Sequence, residues 1–228
     1  MGSITVDGVV EACTVEAGGD LVVARGVQGD NQAVIRAHRN VIAKYLENCC
    51  VCAKEGLFSD CIINCDVYCD GTVDVRSGRM TIIGGNIRAG KIVYAGTIGS
   101  RTETKTNILL GGLPCGDFDY GVVAQEADEL RDEMERLARQ PESPQKLSRM
   151  SKIKVKLIVA RKKMEELEKE RESLGEETGE EEDAAVCRMQ CDNVYPGTNL
   201  SIHGVNYQFT RKITPCDATL SDGAIQLI

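Results

Sequence analysis

The chain has 228 residues, of which 23 are Gly and only 4% are aromatic, with no Trp. This composition is unlike a globular core built on large side chains and suits thin solenoid coils with tight corners. The formal net charge of −8 argues against general nucleic-acid binding, and the 11 cysteines, an odd number, do not fit a secreted disulfide framework. No apolar run approaches the roughly 20 residues of a membrane span, so we expect a reduced, cytoplasmic protein with no signal peptide and no stable membrane insertion.

Strand and turn patterning is present from residue 4 onward, with Val6 and Val9 as candidates for a partial first coil. A solenoid that begins in this way leaves one sheet edge unpaired. Open edges invite pairing unless they are covered. We therefore expect either a further N-terminal region or another subunit on this edge, so self-association through the open solenoid edge is one predicted interaction.

A three-residue pattern recurs five times between residues 15 and 89. Each copy has a β-branched residue, a variable residue and a small residue: Val15-Glu16-Ala17, Ile35-Arg36-Ala37, Val51-Cys52-Ala53, Val67-Tyr68-Cys69 and Ile87-Arg88-Ala89. The last positions (17, 37, 53, 69 and 89) are separated by intervals of 20, 16, 16 and 20 residues. Alternate side chains of a strand face opposite ways, so the first and third residues point inward and the middle one outward. Units this short bury their apolar faces only by stacking, which predicts a β-solenoid over residues 1–121.

The cysteines fit the same register. Four residues before the end of each triplet lies a column of small residues: Cys13, Ala33, Cys49, Cys65 and Gly85. Reduced Cys is a small, buriable side chain, so we predict that most of these thiols pack in the interior. Cys49 and Cys52 are spaced like a zinc-binding pair, but they face opposite ways and a second pair is missing, so we expect no metal and no cofactor. Cys50 and Cys52 are predicted to point outward and to be the most reactive thiols.

Between residues 122 and 175 the apolar period changes to that of a coiled coil. One seam consists of Val123, Ala127, Leu130, Met134 and Leu137, and a second of Met150, Ile153, Leu157, Ala160, Met164, Leu167 and Leu174. Ser143 is a predicted N-cap, Pro144 a first helical residue and Gly175 a helix end. The acidic residues of the first helix lie opposite Arg149, Lys152, Lys154 and Lys156 only if the helices are antiparallel. We therefore predict an antiparallel helical hairpin inserted between two β segments.

The second helix is unusually basic. From Lys146 to Lys163 it contains eight basic residues and no acidic one. Pairing with the acidic first helix accounts for four of them, and a basic amphipathic helix can also contact anionic partners or membrane surfaces. The candidate docking residues are Arg139, Lys146, Arg149, Lys162 and Lys163.

An acidic linker is predicted at 176–184, followed by a C-terminal β segment at 185–228 that completes or caps the solenoid. In this segment Ala185, Cys187, Met189 and Cys191 alternate on one side of a strand. Two hairpins are indicated by the turn sequences His203-Gly204 and Asp222-Gly223 between apolar runs.

Several short runs, in this order, resemble the C-terminal solenoid half of bacterial flagellar assembly protein A (FapA): Ala17-Gly18-Gly19-Asp20-Leu21-Val22-Val23, Gly26-Val27-Gln28-Gly29, the segment 40–48, Ile98-Gly99-Ser100, Val194-Tyr195-Pro196-Gly197 and Asp222-Gly223-Ala224-Ile225. The resemblance implies a right-handed parallel β-helix with a coiled-coil hairpin and a link with flagella. It implies no catalytic residues. The chain departs from the family in having many Cys where the family tends to have Ala or Val, and in lacking the family's usual N-terminal domain.

Two classes of function fit these patterns. The first is a non-enzymatic scaffold or adaptor, with the solenoid as platform and the hairpin as the part that docks a protein partner. The second is a self-assembling structural protein like the polymer-forming bactofilins, with the β-helical half of division inhibitors as a further relative. The inserted hairpin favours the adaptor, because a polymer-forming helix needs none. A β-helix acyltransferase is disfavoured, because the six-residue run from Val51 to Val93 fails upstream and the coils measure 16 residues.

Overall fold

The computed structural model describes residues 2–177 and 187–227. The strands are β1 (Ile4–Val6), β2 (Val9–Glu11), β3 (Thr14–Ala17), β4 (Leu21–Ala37), β5 (Asn40–Ala53), β6 (Gly56–Cys69), β7 (Thr72–Val75), β8 (Thr81–Ala89), β9 (Ile92–Ile98), β10 (Thr106–Leu110), β11 (Arg188–Val194), β12 (Thr198–Ile202), β13 (Val205–Gln208), β14 (Cys216–Ser221) and β15 (Ala224–Leu227). The helices are α1 (Pro114–Ala138) and α2 (Pro144–Glu177). The predicted fold class is confirmed: the chain is mainly β, with mostly parallel strands in a β-solenoid and a two-helix insert.

The described residues form two units. The first is the solenoid, which includes the chain up to Cys115 and again from Cys187. The second is a helical hairpin from Gly116 to Glu177. The linker predicted at 176–184 lies, from residue 178 onward, outside the described residues.

The five triplets stack in the predicted register. Strands β3, β4, β5, β6 and β8 pair in parallel, and the first residues of the triplets form one column: Val15, Ile35, Val51, Val67 and Ile87. In the column of third residues, Cys69 pairs with Ala53 on one side and Ala89 on the other. Both columns are buried from the second triplet onward. The prediction that these residues face the interior is therefore confirmed.

Small residues form a third column because the coils turn closely there. The Sγ atoms of Cys49 and Cys65 lie 3.5 Å apart in the interior. Gly85 follows with φ of +80°, and a Cβ at this position would lie 2.1 Å from the Cys65 carbonyl oxygen. Cys13 does not belong to this buried column: it is exposed, because it precedes β3 in a coil that pairs only with β4.

Two further copies of the triplet were missed in the sequence. Ile108-Leu109-Leu110 in β10 pairs with the fifth triplet, and Leu200-Ser201-Ile202 in β12 pairs with β10. The polar segment before Ile108 was expected to be an edge strand or loop, but β10 is paired on both sides. Thr106 is fully buried there, since its Oγ1 accepts a 2.9 Å hydrogen bond from the Gly84 amide.

The C-terminal segment closes the far end of the solenoid. Strand β11 pairs with β9, and β12 pairs with β10, so the coils continue in parallel after the helical insertion. The two predicted hairpins are confirmed as the antiparallel pairs β12–β13 and β14–β15. Cys187, Met189 and Cys191 are buried as predicted, whereas Ala185 lies outside the described residues.

The helical unit has the predicted antiparallel seam. Val123, Ala127 and Ala160 are buried together, with Leu157 and Met164 packed against them. The Ser143 hydroxyl accepts a 3.1 Å hydrogen bond from the Lys146 amide, which confirms the N-cap.

Helix α1 begins at Pro114, well before residue 122, where the seam pattern starts. Pro114 was interpreted as a breaker, but proline is favourable at a first helical position, where no N–H is needed. The early start gives the last turns of α2 a partner, and the Tyr120 hydroxyl donates a hydrogen bond to Glu168, which raises the pKa of Tyr120. The expectation that residues 164–174 lack a partner in the first helix is therefore wrong. Helix α2 also continues past Gly175 to Glu177.

The outward position of Cys52 is correct, but its expected exposure is wrong. Cys52 is only 1% exposed, although it lies outside the main interior cluster. It is covered by Cys115, whose thiol is hydrogen bonded to it and donates to the carbonyl oxygens of Ala53 and Tyr68 at 3.3 and 3.4 Å. The Cys115 amide is held by Asp70 Oδ1 at 2.8 Å. An outer residue of the coil is thus buried by the first turn of α1.

This arrangement predicts that Cys52→Asp is as damaging as Val51→Asp. Each substitution would bury a carboxylate without a partner and should lower the free energy of unfolding by about 3–5 kcal/mol. Ile42→Asp is the matched control, because Ile42 is 42% exposed on the outer face, and it should cost about 1 kcal/mol or less. Urea unfolding followed by circular dichroism measures all three, and a Cys52→Asp variant as stable as the Ile42→Asp variant would contradict the assignment.

Candidate functional site

The basic residues proposed for docking lie in two groups on the hairpin. Arg139, Lys146 and Arg149 surround the turn between α1 and α2, whereas Lys162 and Lys163 lie farther along α2. Thirteen residues of helix separate Lys162 from Arg149, which corresponds to about 20 Å. The structure therefore does not bring the five side chains into one cluster.

The residues near the turn are engaged within the hairpin. The Lys146 ammonium donates hydrogen bonds to the carbonyl oxygens of Ala138 and Gln140, at 3.0 and 2.6 Å, and so caps the end of α1. Arg149 donates a 2.6 Å hydrogen bond to Glu133 across the seam. Arg139 is highly exposed and forms only a long contact, 4.0 Å, with Glu135 of its own helix. Lys146 and Arg149 thus stabilise the hairpin, which reduces their availability to a partner.

The lysines of the middle of α2 are much less engaged than the sequence predicted. Of the four basic residues expected to face the acidic helix, only Arg149 forms an ion pair there. Lys152, Lys154 and Lys156 are exposed and form no ion pair with any residue that the structure describes. The same is true of Lys162 and Lys163. The hairpin therefore carries a long segment of uncompensated positive charge.

Exposed apolar side chains accompany these lysines, and sequence reasoning missed them. Leu147, Val155, Ile158 and Val159 are each 58–61% exposed. The signal was present, since the run from Val155 to Val159 contains more apolar residues than one seam needs. It was interpreted as a tendency toward strand, because three of its residues are β-branched.

On the solenoid, a groove of about 500 Å³ is lined by Arg76, Tyr94, Gln190 and Asp217, with Cys191 and Cys216 at its base. Its charges are already balanced: Arg76 pairs with Asp74 at 2.5 Å and lies 4.0 Å above the Tyr94 ring, and Arg188 pairs with Asp217. The groove therefore offers no free charged group to a ligand.

The two histidines do not form a catalytic arrangement. His38 lies 3.5 Å from Glu16 on the surface. His203 Nε2 lies 3.3 Å from the Cys187 sulfur, a contact that the sequence did not indicate, but Cys187 is only 1% exposed and not open to a substrate. No three His, Cys, Asp or Glu side chains are grouped for metal binding within residues 2–177 and 187–227. Neither of the two described helices is long and apolar enough to cross a membrane.

The reactivity expected of Cys50 and Cys52 also differs from the prediction. Cys52 is buried, and Cys50 is half-buried. Burial, together with the nearby Asp66 carboxylate, raises the pKa of Cys50 to about 12. Cys13 is the one cysteine that is fully exposed.

The geometry defines a β-solenoid protein with an inserted helical hairpin, and the comparison with known families agrees. The family model described as Flagellar Assembly Protein A beta solenoid domain matches residues 1–225. The chain therefore belongs to this family, as the resemblance in the sequence indicated. No curated protein and no solved structure matches the chain significantly.

The thiol environments predict which cysteine reacts first in the folded protein. With a pKa of about 12, only about one Cys50 in ten thousand is a thiolate at pH 8. Iodoacetamide at pH 8 should therefore label Cys13 roughly tenfold or more faster than Cys50 or Cys52. Peptide mass spectrometry of a quenched time course measures the rates, and protein in denaturant, where all thiols should react alike, is the control. Equal labelling of Cys13 and Cys52 in the folded protein would contradict the buried position of Cys52.

Proposed function

We propose that this protein is a non-enzymatic scaffold or adaptor in flagellar assembly, in which the solenoid is the platform and the helical hairpin docks a protein partner. The family membership supports the flagellar role, and the family is not a known enzyme family. We also propose a cytoplasmic location, since all eleven cysteines are free thiols, as is usual in a reducing compartment.

One observation carries the docking role: the hairpin contributes nothing to the pairing of the solenoid and carries unpaired charge. The coils before and after it pair directly with each other, β9 with β11 and β10 with β12. A segment that the solenoid does not need, with five exposed lysines that have no ion pair among the described residues, is a suitable surface for a partner. Lys162 and Lys163, from the original candidates, belong to this group.

A second candidate function, self-association, is favoured by the other end of the solenoid. Strands β1, β2 and β3 pair only with β4 in the part of the chain that the structure describes. The opposite end is covered by antiparallel strands, of which β13 and β15 have four residues each. Short edge strands discourage further pairing. We infer that association through the solenoid would stop at a dimer of two N-terminal edges rather than continue into a polymer.

The adaptor proposal predicts that partner binding depends on the hairpin. Residues 116–177 are replaced with a short Gly/Ser linker, and Cys115 is kept because it covers Cys52. The β signal in circular dichroism should be unchanged, whereas flagellar proteins captured from a lysate of the source organism and identified by mass spectrometry should be lost. Retention of the same proteins by the solenoid alone would contradict the proposal, and a dimer that persists without the hairpin would support the second candidate.

A matched pair of charge reversals controls for non-specific effects. Lys162→Glu with Lys163→Glu should reduce capture of the same proteins. Arg25→Glu with Lys44→Glu changes the net charge equally at exposed solenoid positions and should leave capture unchanged.

A further inference from the structure

Helix α2 has a second apolar stripe in addition to the seam with α1. Leu147, Val155, Ile158 and Val159 form this stripe, and with 3.6 residues per turn they lie on the side opposite Ile153, Leu157 and Ala160. We call this surface the back face of α2. From Leu147 to Val159 it extends over about 18 Å.

The spacing of the back face is that of a second coiled-coil seam. Ser148, Ser151, Val155, Ile158 and Lys162 follow each other at intervals of three and four residues, the heptad pattern by which one helix packs on another. The two serines are exposed and small, so they permit close approach of a partner backbone. Beside them a shallow depression of about 540 Å³, lined by Pro144, Ser148 and Lys152 among others, has room for a bulky side chain.

The charge around the back face restricts the partner. Lys154 and Arg161 border the stripe on one side, and Lys152, Lys156 and Lys163 border it on the other. No acidic residue occurs between Lys146 and Lys163. We propose that the back face binds an amphipathic helix of another protein that has aliphatic residues along one stripe and Asp or Glu on both sides of it. This inference rests on the proposed function, because it specifies how the hairpin docks its partner.

A second copy of this chain does not fit the back face. If two back faces met at their apolar stripes, only basic residues would face each other, which is unfavourable. The acidic helix α1 of another copy would supply the opposite charge, but its outer surface is polar: Val122 is its only exposed large apolar residue among those described. The partner helix is therefore supplied by a different protein.

An anionic lipid surface is also a poorer fit than a helix. Helices that lie at membrane interfaces usually present Trp or Phe, and the back face contains no aromatic residue. Farther along α2 the same side carries Glu165 and Glu166, which an anionic surface would repel. Heptad spacing is a feature that a helical partner uses and a flat surface does not.

The test uses the full chain and a designed helical peptide labelled with fluorescein, with Leu and Ile at the seam positions and Glu on both flanks. Binding by fluorescence anisotropy should be saturable and should weaken as salt is added. Val155→Ser with Ile158→Ser should raise the Kd roughly tenfold or more, and Lys152→Glu with Lys163→Glu should raise it similarly. Circular dichroism confirms that these exposed substitutions leave the helices folded.

The matched controls are Val122→Ser, an exposed valine of the other helix, and Lys169→Glu, an exposed lysine beyond the stripe. Neither should change the Kd of the acidic peptide by more than about twofold. A peptide with Lys in place of Glu should not bind, and neither should phosphatidylcholine vesicles that contain phosphatidylserine.

Absence of acidic-peptide binding, or binding that the back-face substitutions do not alter, would overturn the proposal. Vesicle binding that is lost in the Val155→Ser, Ile158→Ser variant would assign the surface to lipid instead and would also overturn it. The adaptor role is tested separately by deletion of the hairpin. A partner that is lost with the deletion but captured normally by the back-face variant would leave the adaptor role standing and reject this surface.

Discussion

The fixed register of parallel coils is the constraint on which the rest of the structure depends. Backbone hydrogen bonds place each residue of one strand beside its equivalent in the next, so the interior consists of columns of similar side chains. A slip of one residue would turn every interior side chain outward. This is why Cys69 can replace Ala in its column, and why Gly85 follows Cys65 where a Cβ would lie 2.1 Å from a backbone oxygen.

The same register organises polar groups on the outer surface. The residue before each triplet forms a ladder of side chains, in which Asn86 donates to Asp66 at 2.6 Å, Asn107 to Asn86 at 2.7 Å and Asn199 to Asn107 at 3.0 Å. The last of these bonds joins the coils on either side of the helical insertion. Both the interior columns and the ladder therefore continue past the hairpin. The hairpin can consequently carry residues selected for a partner, such as those of the back face, without a cost to the solenoid.

The sequence was sufficient for those features that repeat locally. The interval of 16 or 20 residues located five interior triplets, and the 4-3 spacing located the two helices and their antiparallel pairing. The last two triplets were missed because a loop precedes one and the whole hairpin precedes the other, which destroys the interval. The burial of Cys52 could not be predicted, since the residue that covers it, Cys115, is distant in sequence and belongs to no repeat. The candidate docking residues were selected by charge alone, and charge did not reveal that Lys146 and Arg149 are used within the hairpin.

The central claim is that the solenoid register forms one cooperative unit and that the hairpin is another, free to serve a partner. Hydrogen exchange followed by mass spectrometry at increasing urea tests it most directly, because it reports the opening of each segment separately. The account predicts that amides of α1 and α2 lose protection at a lower urea concentration, while those of β5, β6 and β8 remain protected until the whole solenoid unfolds. Simultaneous loss of protection in the helices and in these strands would contradict it.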